Sequence, residues 1–172
     1  ALEKAERGEG TVGALIKEAT ILTARHHGGN THFGAFILLI PLIMGGNIPA
    51  AVRILKETTV QDALDFYEAF SHTAVRVREQ DELDINDPQA VERLKQRGMT
   101  FYHVMEYSSA HDLVAREITG GYSLTRYTAD LLLSYSDTKN PISTVFLILL
   151  SEFPDTFIAK KFGDTASECV RA

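Results

Sequence analysis

The sequence predicts an all-α fold, a multi-helical single domain with buried central helices. Three observations carry that reading. Apolar residues recur at helical spacing, most clearly at Val12, Leu15, Ile16, Ala19 and Leu22. Two runs, residues 36–44 (FILLIPLIM) and 145–150 (VFLILL), are apolar on every side, as in helices sunk in a core. No stretch alternates apolar and polar residues over a strand's length. The best strand candidate, residues 74–77 (AVRV), is short.

The elements follow from punctuation. Residues 1–7 are helical in composition but start without a cap, which reads as the inside of a larger chain. Thr11 precedes a helix that carries its stripe to His26 and stops at Gly28–Gly29. Asn30 is a strong N-cap for the next helix and puts His32 in its first turn, among N–H groups that favour anions. Pro41 removes a ladder bond and predicts a kink near Ile37. Residues 45–47 (GGN) end that helix, and a short one over 48–57 takes Pro49 at its start.

Thr59 with Asp62 forms a capping pair for a helix whose apolar face is Val60, Ala63, Leu64, Tyr67 and Phe70. Asp62, Asp65 and Glu68 should face solvent or a pocket. Residues 79–87 (EQDELDIND) form an acidic loop. Asp87, Pro88 and Gly98 then bracket a helix over 89–97. Further helices are expected over 100–107, 109–118 and 123–136. Asn140–Pro141 opens another, with Ile142, Val145, Phe146, Leu149 and Leu150 inward. Asp155 caps a short helix over 156–162, and Asp164 the last one.

Composition bounds function. The chain has 172 residues, enough for one domain, and 45% are hydrophobic, enough for a sizeable core. A net charge of −6 argues against a general nucleic-acid binder, which needs a Lys/Arg surplus. It leaves room for a nucleotide site with a few local donors. A single cysteine, Cys169, predicts a reducing, cytoplasmic setting. Residues 1–8 are charged rather than apolar, unlike a secretory leader, and no apolar run reaches the 20 or so residues of a membrane span.

His26, His27 and His32 are the densest histidine cluster, but their spacing matches no zinc signature. Residues 28–34 (GGNTHFG) let a ligand approach the backbone, although they are neither a Walker sequence nor a Rossmann fingerprint. A plain turn between helices is the alternative. Glu106, Asp112, Glu117, Asp130 and Asp155 flank apolar helices. One or two could hold Mg²⁺, and a helix cap or a solvated face is the competing reading for each. Lys160 and Lys161 either meet a phosphate or are solvated. Nothing spells a nucleophilic triad.

Three stretches together resemble the triphosphoribosyl-dephospho-CoA synthase family. Residues 29–34, GNTHFG, are similar to its G-x-N-T-H-K-G. Residues 117–122, EITGGY, are similar to its E-x-E-x-G-Y. Residues 154–163, PDTFIAKKFG, are similar to its G-D-T-N-x-x-x-R-G-G. Order and spacing agree over nearly the whole chain. Phe33 replaces a lysine, Thr119 the second glutamate and Phe157 an asparagine, and Lys161–Phe162 stand near the Arg-Gly. The family's N-terminal Pro-Lys-Pro-Gly segment is not in this sequence, so the 172 residues read as the C-terminal portion of a longer chain. The pattern resembles the archaeal-type branch of the family more closely.

The resemblance implies a transferase that moves the triphosphoribosyl group of ATP to a dephospho-CoA-like acceptor and releases adenine, with Mg²⁺ expected. It assigns Gly29, Asn30, Thr31, His32 and Gly34 to triphosphate or ribose contact. Glu117 and Asp155 become metal-binding or acid/base candidates, with Gly121 and Tyr122 lining the same site. His32, Glu117 and Asp155 are the expected catalytic set. Asp112 joins Glu117 and Asp155 as a metal candidate because it lies about one helical turn before Glu117, and Lys160 joins as a phosphate contact. The expected partners are ATP and the acceptor, with no nucleic acid or membrane, and a homo-oligomer is compatible. The alternative is a non-catalytic helical ligand-binding or assembly protein on the same fold.

Overall fold

The computed structural model describes residues 1–24, 32–73, 87 and 89–171, without the Lys160 side chain. Helices alone build the described chain. The first group is α1 (Leu2–Glu6), α2 (Val12–Thr23), α3 (Phe33–Gly45), α4 (Ile48–Lys56), α5 (Val60–Ser71) and α6 (Ala90–Arg97). The second is α7 (Phe101–Ser108), α8 (Leu113–Thr119), α9 (Ser123–Ser134), α10 (Pro141–Glu152), α11 (Thr156–Phe162) and α12 (Asp164–Arg171). The all-α expectation is met. The strand candidate at 74–77 lies outside the described residues, as do His26, His27, Gly28 and Asn30.

The centre is the pairing of α2 with α5, and a glycine makes it possible. A Cβ on Gly13 would lie 2.3 Å from the Asp62 carbonyl oxygen, so only glycine admits this approach. The Gly13 N–H then donates to Asp62 Oδ1 at 2.8 Å. Asp62 also closes the capping box of α5 with Thr59. It is buried, at 2% exposure, which corrects its expected place on a solvent or pocket face. Asp65 is buried too, and Lys17 of α2 bridges it at 3.0 Å and Glu68 at 2.8 Å. Helix-to-helix recognition uses these carboxylates.

Aromatic rings fix α3 to this pair. Phe33 stacks on Phe66 at 5.6 Å between centroids and meets Phe70 edge-on at 5.2 Å; Phe66 meets Phe101 of α7 edge-on at 5.2 Å. Phe33, read from sequence as the loss of a lysine, is thus a core residue at 6% exposure. Pro41 sits inside an unbroken α3 and is fully buried. A sharp bend follows Gly45, where α3 and α4 meet at 108°. A Cβ on Gly45 would crowd the Ala51 nitrogen at 2.5 Å, Gly46 takes φ +67°, and Asn47 caps α4 by accepting from Ala50 N at 2.9 Å.

Several boundaries move. α2 ends at Thr23, short of the expected stop. α3 begins at Phe33, with His32 at the cap position rather than in the first turn. α8 begins at Leu113, because Asp112 caps it by accepting from Ala115 N at 2.9 Å. The largest difference is α10. Its apolar run suggests a buried helix, yet Val145 is its one fully buried side chain, and Ile142 and Phe146 point outward. The main core, from Ala5 to Tyr122, belongs to α1–α8 and the turn into α9. Among the described residues no single helix is long and apolar enough to cross a membrane.

Candidate active site at three joined helix starts

The first turn of α8 adjoins those of α3 and α11. Gly34, in the first turn of α3, lies against Val114 of α8, where a Cβ would make ordinary contact at 3.5 Å with Val114 Cγ2. The preceding N–H of α8, that of Leu113, donates to Thr156 Oγ1 of α11 at 3.2 Å. Two short contacts therefore link three segments more than forty residues apart. Each turn presents a polar residue just before its helix. His32 is exposed at the start of α3, and Asp112 and Asp155 are half-buried at the starts of α8 and α11.

The carboxylates are held in place by capping. Asp155 Oδ1 accepts from Phe157 N at 2.8 Å and Ile158 N at 3.0 Å, while its carbonyl accepts from Ser167 Oγ of α12 at 3.0 Å. Arg116 braces the turn before Asp112 by donating to the carbonyls of Ser109 (3.3 Å) and Ala110 (3.2 Å). The His32 ring lies 6.3 Å from that of Phe36, one turn on. Capping engages Oδ1 of each aspartate with main-chain donors. Neighbouring helix starts also carry partial positive charge.

Glu117 stands elsewhere. It is buried on α8 and turned toward the start of α9. It accepts from Leu124 N (2.7 Å), Thr125 N (2.8 Å) and Thr125 Oγ1 (2.6 Å). Asp112 is not its partner one turn back but the cap outside the helix. Five residues separate the two, which puts them on different sides of α8. Among the described residues no group of three or more histidine, cysteine or acidic side chains is arranged to hold a metal. The chemistry of Asp112 and Asp155 still suits Mg²⁺, which takes one or two carboxylates and completes its shell with phosphates and water.

The EITGGY segment owes its residues to a turn. Gly120 passes so close to α8 that a Cβ would lie 2.8 Å from the Arg116 carbonyl oxygen. Gly121 takes φ +64°, and Tyr122 follows at φ +60°, a strained value for a side-chain-bearing residue. Tyr122 is fully buried and donates from its hydroxyl to the Leu38 carbonyl of α3 at 2.9 Å. Burial and the Glu117 charge push its pKa well above the ordinary phenol value, so the hydroxyl remains a donor. The ring fastens α3 to the α8–α9 turn and lines no open cleft.

The start of α8 thus touches the α3 turn that carries Gly34 and the α11 turn that follows Asp155, while Glu117, Gly121 and Tyr122 hold the frame around α8. Gly29, Asn30, Thr31 and the Lys160 side chain lie outside the described residues. Thr156 and Arg116 were missed as residues that tie and brace the site. Thr156 had a signal, as the threonine of the Asp-Thr motif. A groove of about 290 Å³ between α2 and α5 is lined by none of the motif residues.

The helical fold with polar residues at its helix starts defines an all-α domain, and a fold of this kind does not by itself fix an activity. The family model of CitG, ATP:dephospho-CoA triphosphoribosyl transferase, matches residues 1–172, and the chain belongs to that family. A crystal structure of an Archaeoglobus fulgidus protein described as a triphosphoribosyl-dephospho-CoA synthase superposes with a TM-score of 0.80 at 28% identity, covering 99% of this chain and 73% of that one. Among curated proteins none matches.

Proposed function

We propose that this chain transfers the triphosphoribosyl group of ATP to a hydroxyl of dephospho-CoA, with the triphosphate held where α3, α8 and α11 begin. The observation that supports this reading is the Leu113–Thr156 hydrogen bond, which with the Gly34–Val114 contact ties α8 to the segments that carry the first and third sequence motifs. In the reaction the bond from ribose C1′ to the adenine nitrogen breaks and a bond from C1′ to the acceptor oxygen forms. The proton of the hydroxyl leaves, and adenine departs with a proton.

The residues divide the work by position. His32 donates to phosphate oxygens at a helix start already biased toward anions. Asp112 and Asp155 would hold Mg²⁺, which would neutralise triphosphate charge when bound. Their negative charge also favours the oxocarbenium character that develops at C1′, as carboxylates do in glycoside cleavage. Glu117 and Tyr122 act through others, Glu117 by anchoring α9 and Tyr122 by anchoring α3. An ATP-consuming biosynthetic step of this kind belongs in the cytoplasm.

Free adenine is the decisive readout, because neither phosphoryl transfer nor simple binding releases it. The chain incubated with ATP, Mg²⁺ and dephospho-CoA should liberate adenine in proportion to acceptor consumed. His32→Ala, Asp112→Ser and Asp155→Ser should each lower that rate by at least ~10²-fold. Serine keeps a helix cap, so circular dichroism should be unchanged. Near-normal adenine release from all three variants would refute the site.

A further inference from the structure

We propose that Thr156 is a positioning residue for the transfer, its hydroxyl fixing where Asp155 stands relative to Asp112. This role rests on the function proposed above. Thr156 opens α11, directly after the aspartate that caps that helix. Leu113 opens α8, likewise directly after its capping aspartate. The Leu113 N–H donates to Thr156 Oγ1 at 3.2 Å, so one hydrogen bond joins the chain neighbours of both carboxylates.

A helix leaves its first N–H groups without partners of its own. In α8 the Ala115 N–H goes to the cap, Asp112 Oδ1, whereas the Leu113 N–H goes to a side chain 43 residues on. The second bond is tertiary. α11 does not need it to start, because Asp155 already accepts the N–H groups of Phe157 and Ile158. What it adds is registration of one helix start against the other.

That registration limits a distance the chemistry depends on. Standard chain geometry on either side of the 3.2 Å bond keeps the Asp112 and Asp155 Cα atoms at most roughly 12 Å apart. The covalent path between them runs through α8, α9 and α10 and sets no such limit. The other side of the Asp155 turn is held by buried Ser167 of α12, whose hydroxyl donates to the Asp155 carbonyl at 3.0 Å. α12 packs on α10 and α11, so this second hold ties Asp155 to the later helices, and Thr156 ties it to α8. A misplacement of about 1 Å in a reacting constellation can cost about 10²-fold in rate.

Two substitutions test it in the full chain with ATP, Mg²⁺ and dephospho-CoA. Thr156→Val keeps the branched shape and removes the acceptor, whereas Thr156→Ser keeps the acceptor. The valine variant should lose at least ~10-fold in kcat for adenine release per folded molecule, with KM for ATP changed less than ~3-fold. The serine variant should stay within ~3-fold of the parent kcat. Amide exchange followed by NMR reads the bond without substrate. The Leu113 N–H should exchange at least ~10-fold faster in the valine variant than in the parent or the serine variant. Parental kcat in the valine variant, a loss confined to Tm, a serine variant as slow as valine, or unchanged Leu113 exchange would each overturn this role and leave the proposed function standing. A parent chain that releases no adenine would overturn both.

Discussion

Asp62 shows how much one side chain can do away from any substrate. Its carboxylate receives the Gly13 N–H of α2, and the N–H and hydroxyl of Thr59 on its own helix cap. Burial pushes its pKa up, but hydrogen bonds from Thr11, Thr59 and Gly13 outweigh burial and hold it below the ordinary 3.8. A group whose folded pKa is depressed contributes stability that is fully present above the unfolded value and is lost as pH falls through the folded one. Asp62→Asn should therefore cost about 2 kcal/mol at pH 7. The gap from the parent should narrow below pH 4, measured by urea denaturation at pH 7 and pH 3. An undiminished gap at pH 3 would separate the effect from ionisation. The Thr59–Asp62 box was legible four residues at a time; the Gly13 contact, 49 residues away, was not.

At the level of helices, α8 is a short strut with work at both ends. Asp112 and Leu113 tie its start to the candidate site, and Glu117 anchors α9 near its end. The glutamate of EITGGY stood out in sequence and was read as chemistry. Its role was hidden because its partners come only after two successive left-handed residues, a path that no periodicity reveals. Asp155 was legible as a cap, since Pro-Asp-Thr before an apolar turn is local punctuation. α10 misled for a physical reason: an apolar helix shows that something must cover it, not what does. Glu117→Gln, which removes the charge and turns one acceptor into a donor facing N–H groups, should destabilise the fold by roughly 1–2 kcal/mol. Adenine release per folded molecule should change far less than for Asp155→Ser. A Tm shift with kcat nearly intact would mark it as a positioning residue, whereas an intact Tm with lost kcat would return it to the chemistry.

Across the molecule, the described helices differ sharply in how they are held. α2, α3, α5 and α7 share the aromatic and aliphatic core, whereas α9–α12 bury little beyond Val145 and Ser167. Local opening follows buried contact, so backbone amides should exchange slowly in α2 and α5 and faster in α9, α11 and α12. The candidate site straddles this difference, with α3 and α8 in the firm part and α11 in the loose part. A ligand that bridges them binds better to the closed arrangement than to the open one, and so shifts the population toward closure. Hydrogen exchange read by mass spectrometry, with and without ATP and Mg²⁺, can follow all three segments at once. Exchange should slow together at residues 32–36, 113–117 and 156–160, and the largest change should fall in the last, because it starts least protected. If ATP slowed the first segment and left 156–160 untouched, α11 would have no share in holding the nucleotide, and Asp155 would be only the cap that its hydrogen bonds already make it.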